Sequence, residues 1–139
     1  MIVADTNVVS ELMRREPDAA VVAWSETLAR QDVGITAITV EEIERGIGCL
    51  PRGHRRDDLS SRWQLITQIH ADGVLPYDEC AARQTAQLLV RAQSWGRTIG
   101  LADAEIAGIC LAKGADLATR NLKDFRDIDG LTVLDPWQR

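Results

Sequence analysis

The chain begins Met1-Ile2-Val3-Ala4-Asp5-Thr6-Asn7, a short apolar run that ends in one acidic and two polar residues. Such a run is typical of a strand that is buried in a parallel sheet. Asp5 would then lie at the carboxyl end of the strand, at the edge where open α/β sheets bind ligands. Asp5 could equally cap the next helix, because aspartate is a favoured N-cap residue.

Short apolar runs and amphipathic segments alternate along the rest of the sequence. Further strands are predicted at residues 32–36, 74–76, 116–119 and 131–134. Helices are predicted at residues 7–13, 17–30, 39–50, 57–71, 78–94 and 101–113, with Gly114 as a left-handed C-cap of the last one. This alternation favours an α/β fold with right-handed crossovers and a mostly parallel sheet. The length of 139 residues, 45% of them hydrophobic, fits a single domain over residues 1–139.

Composition argues against several classes of protein. No stretch approaches the ~20 apolar residues of a membrane span, and no basic leader precedes the first strand, so we expect a cytoplasmic protein without membrane association. The three cysteines lack the paired spacing of a zinc or redox motif. The net charge of −5 is unfavourable for binding nucleic acid, but basic residues cluster at positions 14–15, 52–56 and 120–126. Each cluster alone is typical of a solvated loop.

Two further acids lie near predicted helix starts. Glu42 stands three residues after Thr39, which is the spacing of a capping box. Capping and a role in a site are compatible, since a Glu in the first turn of a helix at the sheet edge could serve both. Asp103 falls in the first turn of its helix, where the helix dipole stabilises an anion by about 0.3 to 1 kcal/mol. Each acid therefore has a structural explanation beside a functional one.

Several acids at one sheet edge would suit phosphate chemistry. A divalent ion held by carboxylates can activate an attacking water and stabilise the leaving oxygen of a phosphodiester. Mg²⁺ and Mn²⁺ prefer oxygen ligands, so Asp, Glu and Asn side chains suffice without His or Cys. With the polar cluster at residues 119–124, the acids indicate a metal-binding pocket.

Four short motifs, in order along nearly the whole chain, resemble those of PIN-domain ribonucleases of the VapC toxin family. They are residues 5–11, residues 38–42 with Gly46-Ile47, residues 102–107, and residues 118–121 with Asp124-Phe125. The ending Leu134-Asp135-Pro136-Trp137 is similar to the FitB-like branch of that family. The resemblance implies a PIN-like three-layer α/β/α sandwich and a metal-dependent endoribonuclease.

The resemblance also implies roles for individual residues. Asp5, Glu42 and Asp103 match an acidic triad, in which Asp5 and Asp103 would bind Mg²⁺ or Mn²⁺ and Glu42 would help to order the attacking water. Asn121 occupies the family's fourth catalytic position, which is often Asp. The remaining candidates are Thr119, which would line the site, and Asp124, as an outer-shell or fourth ligand.

The same resemblance implies partners. It predicts an RNA substrate, a homodimer and a small DNA-binding antitoxin, with operator DNA reached only through the antitoxin. Asn121 leaves an alternative open, because it brings no charge to a second metal site. The chain could then be a catalytically weak module that binds an antitoxin–operator DNA complex. If residue 121 lies in the pocket, Asn121→Asp should tighten the binding of a divalent ion. A phosphoaspartyl phosphatase would require an acid where Asn7 stands, which argues against that class.

Overall fold

A computed structural model describes residues 1–70 and 73–138. Its sheet has the strand order β3-β2-β1-β4-β5, and every pairing in it is parallel. The strands are β1 (Ile2–Ala4), β2 (Val33–Thr36), β3 (Val74–Leu75), β4 (Asp116–Ala118) and β5 (Val133–Leu134). The predicted mostly parallel sheet is confirmed, and β1 occupies its centre.

Helices cover both faces of this sheet. In the described residues they are α1 (Thr6–Leu12), α2 (Ala19–Glu26), α3 (Ala37–Gly48), α4 (His54–Ile69), α5 (Glu79–Ser94), α6 (Leu101–Lys113) and α7 (Leu122–Phe125). Successive strand residues face opposite sides, so Val3 packs with α5 and α6 while Ala4 packs with α1 to α4. The predicted α/β/α architecture is confirmed. No helix among them is both long and apolar enough to cross a membrane.

Some predicted boundaries differ from those in the structure. The helix predicted at residues 17–30 ends at Glu26, where the Thr27 hydroxyl donates to the Trp24 carbonyl at 2.6 Å, and a 3₁₀ turn (Arg30–Asp32) follows. The helix predicted at residues 57–71 begins earlier, at His54, and its predicted end at residue 71 lies outside the described residues. The short helix α7 was not predicted, because four residues are too few to show a periodic pattern.

Helix α6 matches its predicted bounds and packs unusually close to α5. Gly114, at φ 64°, forms the predicted left-handed C-cap. A side chain at Gly108 would overlap the Thr85 hydroxyl and place its Cβ 2.8 Å from the Ala81 carbonyl oxygen of α5. The two helices can approach this closely only because residue 108 is glycine.

Candidate active site

Asp5 lies at the carboxyl end of the central strand and is only 3% exposed. Its backbone N–H donates to the Ala118 carbonyl of β4 at 2.9 Å. Carboxylate Oδ1 accepts the Thr6 N–H at 2.8 Å, so the predicted capping of α1 is confirmed. The other oxygen, Oδ2, accepts bonds from Thr119 Oγ1 at 2.7 Å and from Asn7 Nδ2 at 3.2 Å. These bonds hold the carboxylate rigidly at the sheet edge.

The predicted capping box at Glu42 is wrong. Helix α3 begins at Ala37, because the Thr36 hydroxyl at the end of β2 accepts the Thr39 N–H at 3.1 Å. Glu42 therefore lies beyond the first turn of α3, where it no longer caps the helix. Its Oε1 instead accepts the Thr6 hydroxyl of α1 at 2.7 Å. This bond ties Glu42 to the residue that follows Asp5.

Asp103 lies in the first turn of α6, as predicted, and its side chain is half-buried. Burial, together with the negative charges of Asp5, Asp124 and Glu42, raises the pKa of Asp103 to about 6. Burial likewise raises the pKa of Asp5, against the hydrogen bond from Thr119, and the charge of Glu42 adds to the rise. These shifts mean that carboxylates from separate elements share one electrostatic environment.

Asn121 and Asp124 form a hydrogen-bonded pair at the start of α7. The Asn121 side chain donates Nδ2–H to Asp124 Oδ2 at 2.6 Å, and its backbone N–H donates to Thr119 Oγ1 at 3.0 Å. Thr119 is fully buried and also accepts a bond from Asn7 Nδ2 at 3.1 Å. Thr119 thus connects Asp5 to the Asn121–Asp124 pair, so all six predicted site residues lie in one neighbourhood.

Sequence reasoning gave no role to several residues that complete this neighbourhood. Asn7 bridges α1 and the end of β4, because its Oδ1 also accepts the Arg120 N–H at 3.2 Å. The Arg120 guanidinium lies over the Trp137 indole, 5.2 Å from the ring centroid. The sequence did contain a signal for the roles of Thr6 and Asn7, because both follow directly after the acid that ends the first strand.

The acids open onto a broad cleft with an apolar wall and a basic rim. The wall includes Ile43, Ile47, Leu50, Leu59 and Trp137. Each basic cluster of the sequence contributes one arginine to the rim, namely Arg14, Arg55 and Arg120. Among the ion pairs of the described residues, Arg14 pairs with Glu11 at 3.1 Å, whereas none involves Asp5, Glu42, Asp103 or Asp124.

The acidic oxygens of the site suit a hydrated divalent ion rather than one enclosed by protein ligands. Within residues 1–70 and 73–138, no three Asp, Glu, His or Cys side chains form a ready-made metal cage. Mg²⁺ commonly keeps several waters and takes only one or two carboxylates from the protein. Asp5, whose charge acts on Asp103, and Asp103 itself have no cationic partner in the described structure, so the two carboxylates fit a hydrated ion of this kind.

Comparison with known proteins defines the family. The family model described as the PIN domain matches residues 2–131. The chain is 40% identical over 139 residues to a VapC ribonuclease, Y4jK, of Sinorhizobium fredii, covering 99% of each chain. It is 38% identical over 138 residues to Toxin FitB of Neisseria gonorrhoeae, again covering 99% of each.

A solved structure agrees with this relationship. The structure of FitAB bound to an IR36 DNA fragment contains a chain that matches with a TM-score of 0.92 and 36% identity, covering 100% of this chain and 97% of that one. The resemblance inferred from the four motifs is confirmed. The chain belongs to the PIN-domain family, among its VapC- and FitB-type proteins.

Proposed function

We propose that this chain is the toxin of a type II toxin–antitoxin pair and acts as a divalent-metal-dependent endoribonuclease. The observation that carries the proposal is that the charges of Asp5, Glu42 and Asp124, from three other elements, act on Asp103, while none of the four acids has a cationic partner in the described structure. Their mutual repulsion costs stability, so an acidic cluster of this kind suits a site that binds a cation. A relative with 40% identity that carries the name VapC ribonuclease supports RNA as the substrate.

Asp5 and Asp103 would hold Mg²⁺ or Mn²⁺, with Asp124 and Asn121 in supporting positions. The bound ion would supply charge stabilisation to the phosphodiester and would lower the pKa of the attacking water. Thr119 and Thr6 orient the Asp5 carboxylate through hydrogen bonds to its two oxygens. Glu42, held through Oε1 by Thr6, would order the attacking water and take up its proton.

The rim and wall of the cleft suit a single-stranded RNA segment. The arginines Arg55 and Arg120 would contact backbone phosphates, and the Trp137 indole offers a face against which a base can stack. The net charge of −5 does not oppose this, because the four acids of the site account for most of the negative excess. Binding that depends on phosphate contacts should weaken as salt concentration rises.

The proposal includes the predicted partners and setting. The chain would act as one domain over residues 1–139, in a cytoplasmic homodimer that binds a small DNA-binding antitoxin. Operator DNA would be reached only through the antitoxin. The structure of FitAB bound to a DNA fragment, in which one chain matches this one over its whole length, supports an assembly with a partner protein and DNA.

Incubation of the purified chain with total RNA tests the proposed activity. The reaction is run with Mg²⁺, with Mn²⁺ or with a chelator, and the new RNA ends are mapped by sequencing. Asp103→Asn should abolish the metal-dependent ends. Asp57→Asn provides a matched control, because Asp57 is also an acid in a first helical turn but lies outside the cleft. Intact RNA in every wild-type reaction would favour the alternative of a binding module.

A further inference from the structure

Arg97 lies in the connection between α5 and α6, and the end of α5 fixes its backbone. Gly96 adopts a left-handed conformation at φ 68° and donates its N–H to the Gln93 carbonyl at 3.0 Å. The Arg97 N–H donates to the Ala92 carbonyl at 2.9 Å. Together these bonds form a Schellman motif, which ends the helix in a defined geometry. The direction in which the Arg97 side chain leaves the backbone is therefore set by α5.

The Arg97 guanidinium reaches the backbone of α7. Nη2 donates to the Lys123 carbonyl at 2.9 Å and to the Asp124 carbonyl at 2.6 Å. Nη1 pairs with Asp127 Oδ2 at 3.4 Å, just beyond α7. The side chain is only 22% exposed, so these bonds are partly shielded from water. Both terminal nitrogens of the Arg97 guanidinium therefore bond to residues within the short segment 123–127.

Helix α7 needs outside contacts of this kind. Four residues form too few internal hydrogen bonds to hold a helix in water. Fully buried Phe125 anchors α7 in the core through its side chain, and Arg97 binds the carbonyls of the two residues that precede Phe125. The segment carries Asp124 and is preceded by Asn121, whose amide bonds the Asp124 carboxylate.

We propose that Arg97 is a positioning residue of the acidic site, which acts through the Lys123 and Asp124 carbonyls to hold the Asp124 carboxylate and the Asn121 amide in place. The significance of this role for catalysis rests on the proposed function, but the role itself does not. Arg97 contacts Asp124 through its backbone carbonyl, pairs its charge with Asp127 rather than with any carboxylate of the site, and does not line the cleft. Its effect on the site should therefore be transmitted entirely by the position of α7.

The first experiment reads the Asn121 side-chain amide by ¹H–¹⁵N NMR in the metal-free protein. The wild type should show a shifted and slowly exchanging Asn121 NH₂ signal, because Nδ2 is bonded to Asp124. Arg97→Ala should move that signal towards the position of a free amide. Asp124→Asn, which replaces the charged acceptor, serves as the positive control.

Matched controls separate positioning from a general loss of stability. Arg91→Ala removes another arginine from the same helix end, one that pairs with exposed Asp129, and should leave the Asn121 signal unchanged. Asp127→Asn removes the charged partner of Arg97 but keeps its bonds to the carbonyls, and should also leave the signal in place. Arg97→Lys keeps the charge without the fork, so it should restore the signal only in part.

The second experiment measures Mn²⁺ affinity by calorimetry. Arg97→Ala should weaken binding by roughly tenfold, as expected for loss of a residue that orients a ligand. In an Asp124→Asn background the same change should have little further effect, since both act through one carboxylate. If Arg97→Ala does not fold, both measurements are made on Arg97→Lys instead.

An unchanged Asn121 signal in a folded Arg97 variant would overturn the proposal. Full additivity of Arg97→Ala and Asp124→Asn in Mn²⁺ affinity would also overturn it. Failure of the wild type to bind Mn²⁺ or cleave RNA would instead refute the proposed function, and the NMR result would still decide the role of Arg97.

Discussion

Replacing Asp103 with asparagine should stabilise the metal-free protein near neutral pH. The Asp103 carboxylate is half-buried, and Asp5, Asp124 and Glu42 surround it with negative charge. Both effects penalise its ionised form, which raises its pKa from 3.8 to about 6. Asparagine has nearly the same shape but no charge, so Asp103→Asn removes the penalty without opening a cavity.

The size and pH range of the effect follow from that shift. The difference between 3.8 and about 6 corresponds to at most ~3 kcal/mol, and solvent screening of a partly exposed group reduces this to about 1–2 kcal/mol. Loss of the favourable helix-dipole interaction offsets about 0.3 to 1 kcal/mol. We therefore expect Asp103→Asn to raise the free energy of unfolding by ~1 kcal/mol at pH 7.

Ionisation of Asp103 makes the free energy of unfolding of the wild type fall as pH rises from about 4 to about 6. Below pH 3.8 the Asp103 carboxyl is protonated in both states, so the wild type suffers no ionisation penalty. Between pH 3.8 and about 6 the folded state retains a proton that the unfolded state has lost, so wild-type stability decreases as pH rises. Above pH 6 the penalty is complete. The advantage of Asp103→Asn should thus grow between pH 4 and pH 6 and then level off.

Urea denaturation with a chelator, at intervals from pH 4 to pH 7.5, measures this difference. Asp57→Asn is the matched control, because it also removes a first-turn acid and should be neutral or slightly destabilising at pH 7. Excess Mn²⁺ should stabilise the wild type more than Asp103→Asn. An advantage of equal size at pH 4 and pH 7, or a less stable Asp103→Asn protein at pH 7, would refute the reasoning.

Three further changes test other parts of the structure. Asp5→Asn should abolish metal-dependent RNA cleavage while circular dichroism shows an intact fold, and cleavage at the wild-type rate would contradict the assigned role. Asn121→Asp should not tighten Mn²⁺ binding in calorimetry, because the new carboxylate would replace an amide nitrogen that lies 2.6 Å from Asp124 Oδ2 and would repel that oxygen. Asp124→Asn should weaken Mn²⁺ binding by roughly tenfold. Gly108→Ala should lower the free energy of unfolding in urea by ~2 kcal/mol, since its Cβ would meet the Ala81 carbonyl, and unchanged stability would show that the helices can separate without cost.

The expectation for Asn121→Asp shows what sequence reasoning could not supply. From the sequence alone, an acid at position 121 is expected to strengthen metal binding, and compensation by Asp124 is only an alternative. In the structure, the Asn121 amide donates to the Asp124 carboxylate, so a carboxylate already lies beside residue 121. The pair depends on α7, which is too short for periodicity to reveal, so its geometry was not predictable.

Other features were predictable because they depend on local chemistry. The apolar run before Asp5 predicted a buried strand, and the stripe of α6 with Gly114 at its end predicted that helix to the residue. The start of α3 was mistaken, since Thr36 and Thr39 are equally good caps in the sequence. Thr36 is the cap in the structure, because the end of β2 places its hydroxyl within hydrogen-bond distance of the Thr39 N–H.

The assembly of the site has two physical origins. Strand order accounts for the first, because β1 lies between β2 and β4, so that the segments after their carboxyl ends bring Asp5, Glu42 and Thr119 to one edge. Asp103 reaches that edge differently, from the first turn of a helix that packs on α5 through Gly108. Residues placed by topology can be found from sequence once a parallel sheet is predicted. Asp103 depends on helix packing, which is why its burial and its raised pKa required the folded chain.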